Sequence, residues 1–146
     1  MSAPETVLAF DFGLKRIGIA SGDTLTGGAS GRPAAVSGAA GPDWAAIARE
    51  VEGLRPARLI VGAPYNVDGS EGPMTAAARA FAEELERRFA LPVHLVDERF
   101  SSLEASAALK EQRASGARRR RVGKADVDSA AAAVILRRYL AGEGKT

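Results

Sequence analysis

The sequence predicts an α/β fold: a mixed five-stranded sheet, made of a three-stranded antiparallel meander plus two parallel strands, flanked by helices. Three observations carry this expectation. Two short apolar runs near the N-terminus are joined by a tight link, two later apolar runs each follow an amphipathic helical stripe, and no repeat or linker divides the 146 residues. Strands that alternate with helices imply right-handed crossovers and parallel pairing. Residues 1–146 are therefore read as one domain, at the commonest domain size.

The first strand is Val7-Leu-Ala-Phe-Asp-Phe12, ending at Gly13, and the second is Ile17-Gly-Ile-Ala-Ser21. The link Gly13-Leu-Lys-Arg16 makes the two a hairpin. A third strand around Arg32 to Val36 completes the meander. Asp43 is placed to cap a helix whose apolar stripe is Trp44, Ile47, Ala48, Val51 and Leu54, with Gly53 and Pro56 punctuating its end. Trp44 reads as a core anchor. The β-branched run Arg58-Leu-Ile-Val-Gly62 is a buried strand, and Ala63 to Pro73 has the turn chemistry of a long connection. A second helix carries Met74, Ala78, Phe81, Leu85 and Phe89 on one face. Pro92 opens the last strand, Val93 to Val96, which ends at Asp97-Glu98. Ser101 and Glu104 match a capping box, predicting a helix to about Gln112. Asp126 is the expected cap of a final helix through Leu140, with Ala131, Ile135 and Arg138/Tyr139 on its stripe.

Composition narrows the chemistry. With no cysteine and one histidine, His94, thiolate zinc sites, cysteine nucleophiles and His-rich metal sites are excluded. A catalytic metal would be held by oxygen, which favours Mg²⁺ or Mn²⁺. The N-terminus lacks a basic segment followed by a long apolar stretch, and no apolar run is long enough to cross a bilayer. A cytoplasmic protein with no membrane partner is expected. Net charge is only +2, but its distribution is uneven. Between Lys110 and Lys124 lie Arg113, Arg118, Arg119, Arg120 and Arg121 against the single acid Glu111. Such a run is either a solvated loop or a contact for a phosphate backbone. Four consecutive arginines favour the second, because a polyanion offsets their mutual repulsion.

The acids are informative to different degrees. Asp11 interrupts an apolar strand, where an ionised carboxylate is costly unless paired or metal-bound. A salt bridge to Lys15 or Arg16 across the hairpin is the structural alternative. Glu98 lies just past a strand end, where sites form in open α/β sheets, though it could pair with Arg99. Asp128 could serve the helix dipole alone.

Asp11-Phe-Gly-Leu-Lys-Arg-Ile-Gly-Ile-Ala20 resembles the opening motif of the bacterial YqgF family of pre-16S rRNA nucleases, also described as Holliday-junction resolvase-like. Val61-Gly-Ala-Pro64 with Asp68-Gly-Ser70, Asp97-Glu-Arg-Phe-Ser-Ser102 and Val127-Asp-Ser-Ala-Ala131 resemble its later blocks, in the same order from about Val7 to Leu140. The resemblance implies a ribonuclease H-like fold and a metal-dependent nuclease. It implies that Asp11, Glu98 and Asp128 are both the catalytic acids and the metal ligands, and that Arg16 and Arg99 support them. Lys15, Arg16, Arg99 and Arg118 to Arg121 would contact the substrate backbone. Two Mg²⁺ or Mn²⁺ ions are expected, and whether they bind before substrate is left open by a set of three acids. Maturation of the 5′ end of pre-16S rRNA is the implied role, by a monomer or homodimer. Resolution of four-way DNA junctions shares the chemistry and would need a dimer. A non-catalytic nucleic-acid-binding module is the alternative from another class. Asp-Phe-Gly before a hairpin also resembles the phosphate loop of actin-like ATPases, which require a second lobe.

Overall fold

A computed structural model describes residues 4–63, 70–97 and 124–142, with position 97 and positions 124–128 described by backbone only. The helix expected from Ser101 to Gln112 lies outside the described residues, as do Glu98, Arg99 and Arg118 to Arg121.

The strands are β1 (Thr6–Asp11), β2 (Arg16–Asp23), β3 (Ala29–Gly38), β4 (Gly41–Pro42), β5 (Arg58–Ala63) and β6 (Val93–Asp97), and the helices are α1 (Trp44–Leu54), α2 (Pro73–Phe89) and α3 (Lys124–Leu140). The sheet order is β4-β3-β2-β1-β5-β6. The β1–β2 and β2–β3 pairs are antiparallel, and β1–β5 and β5–β6 are parallel. The meander and the two parallel strands are thus as expected from the sequence. The sixth strand is a two-residue edge addition, in which Ser37 pairs with Pro42 and Gly38 with Gly41. A turn of that length carries no hydrophobic alternation from which a strand could be read.

Alternation along β1 divides the core into two layers. Leu8 and Phe10, with Ile17, Ile19, Leu59 and Val61, face α1 and α2, where Ile47, Val51, Ala78, Phe81 and Leu85 meet them. Val7 and Ala9, with Ala20, Ile60 and Val96, face α3 through Ala132, Ile135, Leu136 and Tyr139. Both faces of β1 and β5 are therefore covered, which explains why their sequences read as continuous apolar runs. Each fully buried aliphatic here contributes on the order of 1.5–3 kcal/mol.

Small residues let α3 approach the sheet closely. A Cβ on Gly22 would lie 3.0 Å from Leu136 Cδ2 and 2.4 Å from the Gly28 carbonyl oxygen, and one on Gly31 would lie 3.2 Å from Ser129 Cβ. The Ser129 hydroxyl donates to the Arg32 carbonyl at 2.6 Å, fixing the first half of α3 over β3. At the other end Arg58 Nη1 donates to the Tyr139 hydroxyl at 3.0 Å and Arg58 Nη2 to Glu5 at 2.8 Å. The helix thus runs antiparallel to β1, with its N-terminus toward the carboxyl ends of the parallel strands.

Local signals account for the helix starts with one correction. Asp43 caps α1 by accepting from Ala46 N–H at 3.2 Å. Trp44 is partly buried and its ring stacks on Phe81, centroids 5.5 Å apart. The turn that ends α1 is made by Arg55 at φ 50°, not by Gly53, which stays helical. Thr75 opens α2 by accepting from Gly72 N–H at 3.0 Å. Asp126 lies inside α3, because the helix begins at Lys124. Lys124 and Ala125 are good helix formers and extend the helix past the expected cap.

Candidate active site at the carboxyl ends of the parallel strands

Asp11 is aimed by its two neighbours. Phe10 and Phe12 both pack on Phe81, with ring centroids 5.7 and 5.1 Å from it. Both rings belong to the α1/α2 layer, so strand alternation turns Asp11 to the α3 side. The carboxylate is half-buried there, at the last residue of β1.

The strands on either side of Asp11 carry glycine at the matching positions. Asp11 is opposite Gly18 on β2 and in register with Gly62 on β5. Directly paired residues share a face, so neither flanking strand places a side chain directly opposite Asp11. Both glycines belong to the sequence motifs, yet the motifs alone give neither of them a role. The signal is present in the parity of the strands, and it needs the register to be read.

Of the other expected acids, Glu98 lies outside the described residues and Asp128 is described by backbone only. Gly62 is in register with Val96 on β6, and Ala63 with Asp97. His94 and Val96 lie on the α3 side of β6, His94 with its ring 6.1 Å from Tyr139. The next position in that two-residue series is 98, outside the described residues. Asp128 is on the first part of α3, just before Ser129. Ser129 is bonded to Arg32, which is in register with Ile19, and Ile19 stands opposite Phe10, the neighbour of Asp11. The backbone at 128 is thereby held near the row of Asp11. It is four residues before Ala132, which packs on the sheet, so positions 128 and 132 share a helical stripe.

The cations are arranged around the β1–β2 turn. Gly13 permits that turn, since a Cβ on it would sit 2.5 Å from the Arg16 carbonyl oxygen. Lys15 is exposed, and its carbonyl accepts from Ser37 N–H at 2.8 Å. Arg16 is half-buried at the start of β2, in register with Val36.

The donor chemistry fits a hard divalent cation. The described carboxylate at this end is that of Asp11, and the chain's one imidazole, His94, is near the opposite end beside Tyr139. Among the described residues no three His, Cys, Asp or Glu side chains gather as a metal-binding group. Gly18 and Gly62 put no side chain of their own directly opposite Asp11 on the two flanking strands. Among the described residues no helix is long and apolar enough to cross a membrane.

Comparison with known proteins agrees with this geometry. A family model described as "RuvX: Holliday junction resolvase" matches residues 5–142. A protein of Xanthomonas campestris named "Putative pre-16S rRNA nuclease" is 49% identical over 137 residues, covering 92% of this chain and 86% of that protein. Proteins of the same name from Legionella pneumophila and Escherichia coli are 48% and 46% identical, and the alignments cover 93% and 94% of their lengths. Among solved structures, T. thermophilus RuvC in complex with a Holliday junction substrate superposes with a TM-score of 0.55 at 15% identity, covering 97% of this chain and 98% of that one. The yeast mitochondrial Holliday junction resolvase gives 0.51 at 11% identity, over 92% of this chain and 77% of that one. At those identities the structures establish the shared ribonuclease H-like fold.

Proposed function

The chain belongs to the RuvX family, and from that premise we propose that it is a cytosolic hydrolytic nuclease that matures the 5′ end of pre-16S rRNA. The names of relatives close to half identical over most of their length support the substrate. The single observation that carries the site is the placement of Asp11, locked between two phenylalanines and flanked by Gly18 and Gly62.

The phosphodiester's own charge repels a nucleophile, so the site must neutralise it. We assign Asp11, Glu98 and Asp128 as the acids that hold Mg²⁺ or Mn²⁺, which when bound supplies Lewis-acid neutralisation of that charge. Asp11 comes from a rigid strand in the centre of the sheet, so its carboxylate is fixed before substrate arrives. Gly18 and Gly62 let the strand being cut lie close to the sheet. Lys15 and Arg16, on the turn that follows Asp11, hold flanking phosphates and set the register of the backbone without reading bases. Arg99 and Arg118 to Arg121 extend the same contact.

The test is cleavage of a 5′-extended 16S precursor in Mg²⁺, with and without chelator, by the wild-type chain and by Asp11→Asn. Chelator-sensitive shortening of the 5′ end that Asp11→Asn abolishes is expected. Undiminished cleavage by a folded Asp11→Asn protein would remove Asp11 from the site. The family description favours a second reading, resolution of four-way DNA, which requires a homodimer to cut opposed strands. Preferential cutting of junction DNA over the rRNA precursor would establish that reading instead.

A further inference from the structure

Among the described residues, two of the three large hydrophobic side chains most exposed to water lie at the Asp11 end of the sheet. Leu14 is 67% exposed at the tip of the β1–β2 turn and Val36 is 66% exposed on β3, while Leu25, 74% exposed, is at the far end. Isolated exposed aliphatics are ordinary. Leu14 differs in how it is held. Before it, Gly13 closes so tightly on the Arg16 carbonyl that a Cβ would approach to 2.5 Å, and after it the Lys15 carbonyl is bonded to Ser37 N–H. Phe12 anchors the same turn on Phe81. A leucine is thus presented to solvent on a fixed backbone, three positions from the candidate catalytic Asp11, with Lys15 exposed beside it and Arg16 next in sequence.

We infer that Leu14 is a wedge that inserts between two bases of the substrate next to the cleaved phosphate, with Val36 covering the flank. The inference rests on the nuclease reading above. The neighbouring cations make the surroundings of Leu14 complementary to a phosphate backbone, so the apolar tip meets what lies between phosphates: sugars and base faces. Aliphatic side chains inserted at a base step unstack it, and the wider protein surface that the bent strand then touches offsets the cost. In a paired substrate this opens the strand at the site. A single strand, already unstacked, needs the wedge less.

The experiment uses an RNA duplex and the matching single strand, each carrying 2-aminopurine at successive positions, with Ca²⁺ replacing Mg²⁺ for the binding measurements. Wild type should raise 2-aminopurine fluorescence on binding the duplex, at one or two adjacent positions. Leu14→Ala should bind with little rise, and should cut the duplex slower by about tenfold or more while losing less on the single strand. Leu14→Met should restore both signals, and Leu25→Ala should match wild type in all of them. A full fluorescence rise in Leu14→Ala, an absent rise in wild type, or equal losses on both RNAs would overturn the wedge. A Leu14-dependent rise in a protein that cuts neither RNA would keep the wedge and remove the nuclease reading.

Discussion

Asp11 and Gly18 stand directly opposite each other across the β1–β2 ladder, and Gly62 continues the same row on β5. Glycine inside a strand weakens it through backbone entropy and lost packing, so two such positions beside one acid require a purpose. Gly18→Ala should therefore leave thermal stability unchanged or slightly raised, by up to about 1 kcal/mol, while slowing cleavage. Gly18→Val should slow it further. Gly22→Ala is the contrast: its Cβ would strike the Gly28 carbonyl and Leu136, so it should lose about 1–3 kcal/mol with site chemistry intact at low temperature. Denaturant melts and cleavage rates on the same preparations separate the two behaviours. A Gly18→Ala protein of full activity would show that the position opposite Asp11 need not be glycine.

Asp11→Asn removes a charge and keeps the shape. Several kcal/mol of charge stabilisation depend on a correctly held divalent ion, so activity should fall by at least about a hundredfold. The strand and both phenylalanine contacts remain, so the variant should still fold, as circular dichroism would show. Mn²⁺ titration by calorimetry should show weakened binding in the variant, a readout independent of turnover.

Much of this was legible in the sequence. The apolar run of β1 with one acid in it, the Asp43 cap and the helical stripe of α1 are local patterns, and local chemistry decides them. The pairing of Asp11 with Gly18 and Gly62 was not legible, because register depends on contacts between segments far apart in the chain. The start of α3 at Lys124 was missed because Asp126 looks like a cap, although its neighbours can also be helical. The hairpin link that holds Leu14 is legible in the sequence, but the tight closure of Gly13 on the Arg16 carbonyl and the bond from Ser37 N–H to the Lys15 carbonyl are tertiary.

The far end of the sheet holds a purely structural network. Tyr139 is buried, and its hydroxyl accepts from Arg58, which also bonds Glu5. Tyr139→Phe removes that acceptor and should cost about 1–2 kcal/mol, measured by urea unfolding. Because the network and Asp11 lie at opposite ends of β1, cleavage by the folded variant should be unchanged. A loss of activity without a loss of stability would contradict this division of the sheet.

Two surface acids make stability depend on pH. A hydrogen bond from Arg87, with a second from Arg88, holds the Glu84 carboxyl below its ordinary value, and the Thr26 N–H does the same for Asp23. A depressed folded-state value means a contribution that is full above the ordinary carboxylate value. It is lost as pH falls through the lower, folded-state one. Glu84→Gln should therefore be less stable than wild type at neutral pH, by a small amount as for exposed pairs. The difference should shrink as both are acidified. Urea midpoints across the acid range give the measurement, and a gap that widens on acidification would reverse the sign assigned to Glu84.

Arg118 to Arg121 are expected to contact phosphates, and salt dependence tests this without a structure of the complex. Each phosphate neutralised on a single strand contributes about 0.7 to the slope of log affinity against log salt. Replacing all four arginines by glutamine should flatten that slope by up to about 2.8 if every one is engaged, and should weaken binding alike across RNA sequences. If Lys15, on the turn beside Asp11, holds a phosphate next to the bond being cut, Lys15→Gln should reduce the slope by about one contact's share and also lower the cleavage rate. A four-arginine variant with an unchanged slope would assign the run to solvent and leave the backbone to Lys15 and Arg16.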